Sequence, residues 1–347
     1  MYIFDDKLIG GCLNLIVQCR IYLICAQYIC IVIIQNRNMI NIGIVGANET
    51  SKRHIEKLIE LKEFKLVGFY DHDPVSSSLI QEKYDIPKFE NYQELISKVD
   101  AVDILTPVGS HYQFASSAIR NCRHVFVKQV LSENLDEAKE LNQLADEANI
   151  QLYVSHHEKF HPNYQTLKRL LDNPFYIESA RFDANVLNYS QENMVFDLLL
   201  NELELIFYMV KAKVKRVRAT GACLHHQHVD FINARIEFDN GCVLNMVCGN
   251  FESEQKNAIR FFQKNRTYNL NLDNFKISML NSSIPAQAEH ELNLAKSKNV
   301  SDMIKRELSF FANSISNHSL NLRTHNDNFQ TLEVAHEIID KLNINKR

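Results

Sequence analysis

The sequence predicts an α/β protein in two parts: an N-terminal doubly wound parallel sheet, and a C-terminal α+β domain with a large, mostly antiparallel sheet. A chain of 347 residues is long enough for about two domains. Strand and helix patterns alternate from residue 39 to about residue 155, as in a parallel sheet. Long strand patterns then follow one another. We therefore divide the chain into an extension (1–38), a first domain (39–155) and a second domain (156–347).

The first domain opens with a strand, a tight turn, a helix and a second strand, in residues 40 to 71. The apolar run Ile40–Val45 ends at Gly46, and apolar residues then recur at helical spacing. The second strand ends at Asp71. This order is typical of a dinucleotide-binding βαβ unit, in which the helix N-terminus faces a pyrophosphate and the carboxylate faces a ribose.

The turn keeps only the first glycine of the Gly-x-Gly-x-x-Gly pattern. We expect Asn48 to replace the second glycine because Asn tolerates positive φ, and Ser51 to replace the third because it is small. Glu49 would repel a phosphate. A βαβ unit that binds nothing is the alternative. A Walker-type phosphate loop is excluded, because Lys52 has no glycine before it and no Ser or Thr after it.

The remaining elements follow in order. In the first domain we expect strands at 101–105, 124–128 and 152–155, a helix at 111–121, and a helix to Ala148 that begins with a capping box of Asn134 and Glu137. In the second domain a helix follows Pro162. The turn Asp239-Asn240-Gly241 marks a hairpin. The other expected elements are helices at 196–211, 301–316 and 327–343, strands at 175–184, 214–224, 229–238, 242–251, 256–263 and 267–272, and a loop at 281–300.

Composition restricts the class of protein. The chain is 46% hydrophobic and 23% charged with a net charge of −4, so nothing indicates a nucleic-acid partner. No Cys-x-x-Cys pair occurs, and the eight cysteines fit free thiols in a reducing cytoplasm. The apolar run 21–34 is too short to span a membrane. We expect Met39 to be the true start, with a membrane anchor in 1–38 as the alternative.

Seven segments together resemble the Gfo/Idh/MocA oxidoreductases, which act on sugars, sugar derivatives and nucleotide sugars with NAD(P). They occur in the family's order: GIVGANETSKRH, FYDHDP, TPVGSHYQFA, HVFVKQVLS, HHEKFHPNY, DLLLNELEL and INARIEFDNGCV. The resemblance implies a Rossmann domain followed by an α/β domain whose open sheet forms oligomer contacts. It therefore implies a homo-oligomer through the C-terminal sheet.

The resemblance also locates two altered catalytic positions. The family's Glu-Lys-Pro motif is Lys128-Gln129-Val130 here, and Gln129 cannot relay a proton as the family's lysine does. Lys128 should point to the opposite face of the strand unless the backbone bulges. The family's Asp-x-x-x-His-Asp helix retains Asp197 but has Asn201 in place of histidine, and Asn does not titrate.

Other family positions are better preserved. Asp71 implies NAD rather than NADP, because a carboxylate there repels a 2′-phosphate. Gly46, Ala47 and Asn48 are the implied cofactor turn. Thr106, Pro107 and His111 match a second cofactor-side turn, and His157, Lys159 and Asn163 match the substrate side. No metal is expected, because the histidines at 225, 226 and 228 have no ligand partners at metal spacing.

These substitutions favour a nucleotide-binding relative whose activity is weak or lost, a pseudoenzyme. The alternative is an active NAD-dependent sugar dehydrogenase with an altered proton relay. In either case the expected small-molecule partner is a sugar or nucleotide sugar.

Overall fold

The computed structural model describes most of the chain after residue 38. The extension 1–38 lies outside the described residues, as do His226 and His228, and the start at Met39 remains a prediction. Within the described part, no helix is both long enough and apolar enough to cross a bilayer. The described ranges are 39–183, 194–225, 229–251, 257–281, 290–292, 300–316 and 324–345.

Five parallel strands form the N-terminal sheet, as the alternating pattern predicts. Their spatial order is β2-β1-β3-β4-β5. The order reverses between β1 and β3, which opens a crevice at the carboxyl ends of these two strands. The strands are β1 (Ile40–Val45), β2 (Phe64–Tyr70), β3 (Ala101–Ile104), β4 (His124–Lys128) and β5 (Leu152–Ser155).

Helices cover both faces of this sheet. The described helices are α1 (Glu49–Glu60), α2 (Pro74–Tyr84), α3 (Tyr92–Ser97), α4 (His111–Arg120), α5 (Leu135–Ala148), α6 (Pro162–Leu170), α7 (Leu200–Met209), α8 (Val300–Ser316) and α9 (Thr324–Asp340). Ile42 and Ile44 of β1 face the core that α1 and α8 cover. Val125 and Val127 of β4 face the core that α4 and α5 cover. The doubly wound arrangement is therefore confirmed.

Helix α8 returns from the second half of the chain to the first sheet. Its Leu308 and Phe311 pack in the same core as Phe126 and Tyr153 of the sheet. Buried Glu307 of α8 accepts hydrogen bonds from three donors at the end of β5: the Ser155 hydroxyl (2.8 Å), the Tyr153 hydroxyl (3.1 Å) and the His156 amide (2.6 Å). One wall of the site described below thus comes from the end of the chain. The division at 155/156 remains a prediction.

The second sheet has nine strands among the described residues, in the order β13-β12-β11-β10-β6-β9-β8-β7-β14. Only the β6–β9 and β7–β14 pairs are parallel, so the mostly antiparallel prediction is confirmed. Gly241 occupies the expected hairpin turn with φ +86°. The strands are β6 (Tyr176–Phe182), β7 (Val214–Ala222), β8 (Phe231–Phe238), β9 (Val243–Gly249), β10 (Ala258–Gln263), β11 (Arg266–Asn271), β12 (Ile277–Asn281), β13 (His290–Glu291) and β14 (Asn343–Asn345).

Two local expectations need correction. Asn134 does cap α5, but Glu137 does not bond back to it. Instead the Glu137 carboxylate accepts from the Ser132 hydroxyl, which accepts from the Asn134 amide. The expected helix 196–211 is not α-helical throughout, because Val195–Leu199 is a π-helical turn and α7 starts at Leu200. Such turns recur at functional sites.

Candidate active site

The turn after β1 depends on its one glycine. Gly46 has φ +106°, a conformation that L side chains rarely adopt. A Cβ at this position would lie 3.1 Å from the backbone of both Leu105 and Thr106. The turn therefore brings the ends of β1 and β3 into direct backbone contact, where only glycine fits without strain.

Asn48 serves as a helix cap. Its φ is −136°, so the expectation of positive φ is wrong. Its side-chain oxygen accepts from the amides of Thr50 (2.9 Å) and Ser51 (3.1 Å), and its side-chain nitrogen donates to the Leu105 carbonyl (2.7 Å). Asn at an N-cap stabilises the helix in this way. The capping interaction uses two amides that a phosphate would otherwise contact.

Ser51 and Asp71 complete the closed turn. The Ser51 hydroxyl donates to the Gly46 carbonyl (2.8 Å) and accepts from the Asn48 amide (3.3 Å). The Asp71 carboxylate accepts from the Ala47 amide (2.6 Å) through one oxygen and from the Asp73 amide (2.7 Å) through the other. Each oxygen keeps a further lone pair that could accept from a ribose hydroxyl. These residues fit a dinucleotide, although few backbone amides are left for its phosphates.

A cavity of about 190 Å³ lies where the ends of β4 and β5 meet α1, α7 and α8. It brings together Gln129, Asn201 and His157, which the sequence places far apart. Six charged or titratable side chains line it beside the two amides. The lining residues are Thr50, Arg53, His54, Lys128, Gln129, Ser155, His156, His157, Glu158, Asn201 and Ile304.

Lys128 reaches the same cavity as Gln129, so the expectation that it points away is wrong. The strand ends at Lys128, and Gln129 adopts the left-handed conformation with φ +62°. The Val130 amide then bonds to the Lys128 carbonyl (2.8 Å). Alternation of faces applies only while the backbone is extended. An ionisable group therefore does stand beside the family's substituted lysine position.

The cavity disfavours the charged forms of His157 and Lys128. Burial lowers the pKa of His157, and the cations His54, Lys128 and Arg53 lower it further, against the opposing effect of Glu158. Burial also lowers the pKa of Lys128, with a contribution from the Arg53 charge. An imidazole that is neutral near pH 7 can accept a proton.

Two buried carboxylate–histidine pairs border the cavity. His54 Nδ1 lies 2.7 Å from an Asp103 carboxylate oxygen. His156 Nδ1 contacts the Glu204 carboxylate closely. Burial raises the pKa of Glu204 to about 8 and lowers that of His156 well below its ordinary value. The second pair thus holds at most one mobile proton near neutral pH.

Several expected site residues lie outside this cavity. His111 is buried, and its ring nitrogens lie 2.7 Å from the Val130 carbonyl oxygen and 2.8 Å from that of Thr106, so it ties two loops together. Asn163 is buried and donates to the Phe275 carbonyl. The Lys159 ammonium lies over the Tyr208 ring. The side chain of Asp197 lies outside the described part. Pro107 precedes the 3₁₀ turn Val108–Ser110.

Sequence reasoning missed the contribution of helix α1. Thr50, Arg53 and His54 line the cavity, and their i, i+3, i+4 spacing puts them on one helix face. That spacing is visible in the sequence and could have indicated a polar face. Ile304 comes from α8, and no local pattern could place it here.

Residues 40–156 match the model of an oxidoreductase family with an NAD-binding Rossmann fold. This domain belongs to the Gfo/Idh/MocA family.

Relatives extend beyond the first domain. UDP-N-acetylglucosamine 3-dehydrogenase of Acidithiobacillus ferrooxidans is 23% identical over 283 residues, which cover 80% of this chain and 88% of the relative. Myo-inositol 2-dehydrogenase of Thermotoga maritima is 22% identical over 200 residues, which cover 54% and 60% of the two chains.

Solved structures share the fold. A structure of the Acidithiobacillus ferrooxidans enzyme has a TM-score of 0.77 at 21% identity and covers 88% of this chain and 98% of its own. Biliverdin reductase from Synechocystis, in complex with biliverdin and NADP+, has a TM-score of 0.72 at 17% identity and covers 87% and 99% of the two chains. The second neighbour has a ligand that is not a sugar, so the likeness concerns the fold alone.

Proposed function

We propose that this protein is an NAD-dependent dehydrogenase of a sugar or nucleotide sugar with an altered proton relay. One observation carries the proposal: a single cavity holds both substituted family positions, Gln129 and Asn201, together with titratable Lys128 and His157. The substrate class rests on what the relatives are named for. The interpretation of weak or lost activity rests on the altered positions 46–51, 129 and 201, whereas Lys128 adds an ionisable group to the same cavity as Gln129.

The proton relay follows from the charge states. Oxidation of a secondary alcohol removes a hydride from carbon and a proton from oxygen. The nicotinamide supplies the hydride acceptor. His157, whose pKa is lowered by burial, takes the hydroxyl proton as a neutral base. The amides of Gln129 and Asn201 orient the hydroxyl by hydrogen bonding. The products are a ketone and a reduced cofactor.

Cofactor choice rests on Asp71. Its carboxylate stands beside the turn through its bond to the Ala47 amide, where a 2′-phosphate would meet negative charge. NADH should therefore bind more tightly than NADPH, and Asp71→Asn should reduce the difference in affinity between the two cofactors. Fluorescence titration of both reduced cofactors tests this preference.

A second candidate function is nucleotide binding without turnover. It is favoured by the closed turn, in which Asn48 and Asp71 already occupy three backbone amides. One experiment distinguishes the two candidate functions. Purified protein is incubated with NAD and a panel of sugars, sugar phosphates and nucleotide sugars, and absorbance at the NADH band is followed. Turnover that His157→Gln abolishes supports the dehydrogenase; NADH binding without turnover on any member favours the second candidate.

We also propose a cytoplasmic homo-oligomer assembled through the second sheet. The sheet presents a partly exposed polar face that includes Glu178, Asn245 and Arg260, around a groove of about 330 Å³. Sedimentation of the wild type and of Asn245→Arg tests this assembly, since an added charge would oppose burial of that face.

A further inference from the structure

Two cations meet in the cavity without a carboxylate partner. Arg53 and Lys128 both line it. Among the described residues neither makes an ion pair, and the only polar contact of Lys128 is with the Thr50 hydroxyl at 3.4 Å. The neighbouring cations on α1 are neutralised, because Lys52 pairs with Glu49 and Lys57 pairs with Glu60. The lack of a partner is thus specific to the cavity.

This arrangement costs free energy in the absence of an anion. Lys128 is half-buried, and burial together with the Arg53 charge lowers its pKa. Like charges in a partly desolvated site repel, and a negatively charged ligand between them removes that cost. The one carboxylate of the cavity, Glu158, lies 3.6 Å from the His157 ring instead. The cavity therefore carries net positive charge on its α1 side.

The cations also compensate for the turn. A helix N-terminus normally binds phosphate through free backbone amides. Here the Asn48 side chain occupies the amides of Thr50 and Ser51. The partial positive charge of the helix end remains, and the Thr50 hydroxyl lies between that end and Lys128. Charged side chains can thus supply the contacts that the amides no longer offer.

We propose that Arg53 and Lys128 form a two-cation site for a phosphate group, with Thr50 as a hydroxyl partner. A guanidinium binds phosphate oxygens in a bidentate manner, and an ammonium adds a point charge. The cavity, at about 190 Å³, accommodates a phosphate and part of its carrier but not a whole dinucleotide. The phosphate belongs either to the dinucleotide or to a phosphorylated sugar or nucleotide-sugar substrate. Only this choice of carrier rests on the proposed function.

Inorganic pyrophosphate is the direct probe. Isothermal titration calorimetry at low salt compares the full-length wild type with Arg53→Met, Lys128→Met and the control Lys52→Met, which removes a paired cation from the same helix. Circular dichroism and thermal unfolding verify that each variant folds. We expect each cavity variant to weaken binding by about tenfold and the control by less than about twofold. No wild-type binding at about 10 mM, or an equal loss in Lys52→Met, overturns the proposal.

Competition identifies the carrier. If NADH displaces pyrophosphate, the site holds the phosphate of the dinucleotide. If a phosphorylated or nucleotide sugar displaces it and NADH does not, the site holds the substrate. Either result supports the site, whereas displacement by neither compound contradicts the proposed ligand. The binding readout needs no turnover, so a protein that binds pyrophosphate through both cations but oxidises nothing would refute only the dehydrogenase proposal.

Discussion

The Lys128 ammonium lies 3.4 Å from the Thr50 hydroxyl oxygen, so the end of the fourth parallel strand meets the first turn of helix α1. This contact joins the helix that follows the Gly46 turn to the strand end that precedes Gln129. It exists because Gln129 leaves the extended conformation directly after the strand. A residue that alternation assigns to the wrong face therefore becomes part of the site.

Gly46 should tolerate no side chain. Its φ of +106° and the 3.1 Å approach to Leu105 and Thr106 predict that Gly46→Ala lowers the free energy of unfolding by about 1–3 kcal/mol. NADH affinity should fall as well. Gly109→Ala is the control, because a Cβ at Gly109 meets nothing within 4 Å. Urea denaturation of both variants gives the comparison, and equal stabilities would contradict the role assigned to Gly46.

His157 should define the acidic limb of the pH–rate profile. Its pKa lies below the ordinary 6.5 because of burial, so it is neutral at pH 7 and loses its function as pH falls through its pKa. His157→Gln should lower kcat by about 100-fold or more and remove this limb. The control is His336→Gln on α9, whose ring contacts the Glu133 carbonyl. A limb that persists in His157→Gln would assign the base elsewhere.

Glu307 should make stability depend on pH. Burial raises its pKa to about 7 from 4.5, so the folded state binds the proton more tightly than the unfolded chain. Its contribution, present below about pH 4.5, is therefore lost as pH rises to about 7, and amounts to about 3 kcal/mol. Glu202 and Glu204, with pKa values raised to about 7 and about 8, act in the same direction.

Glu307→Gln isolates this contribution. The amide oxygen can still accept from Tyr153 and His156, and the Ser155 hydroxyl can accept from the amide nitrogen. The variant should lose less stability than the wild type between pH 5 and pH 8 in urea denaturation. Exposed Glu82→Gln should follow the wild type. Identical pH dependence in Glu307→Gln and the wild type would show that the Glu307 carboxylate does not titrate in this range.

Restoring the family's residues should raise activity. Gln129→Lys with Asn201→His places two titratable groups in the cavity that already holds His157. We expect kcat to rise by about tenfold or more. Gln129 already occupies φ +62°, so the lysine adds no new backbone strain. Unchanged turnover with intact NADH affinity would mean that substrate geometry, not proton transfer, limits the rate.

Much of the fold is readable from the sequence because its patterns are local. Short apolar runs reveal β1 and β4, and Asp239-Asn240-Gly241 reveals the hairpin. The site is harder to predict from the sequence, because residues that are distant along the chain form its walls. Helix α8 contributes Ile304, which lines the cavity, and Glu307, which accepts a hydrogen bond from Ser155.

Two expectations from the sequence were wrong because a second local rule applied at the same residue. Asn48 replaces a glycine in the motif, yet its side chain satisfies helix amides in an extended conformation. Strand alternation would place Lys128 and Gln129 on opposite faces, but the backbone leaves the extended conformation at Gln129.

The central claim, that the closed turn and the cavity still serve a nicotinamide cofactor, is tested most directly by titrating NADH and following its fluorescence. We predict saturable binding with a Kd below about 1 mM, weakened by Gly46→Ala and preserved by Gly109→Ala. The absence of any fluorescence change up to millimolar NADH, in a protein that is folded by circular dichroism, would contradict it.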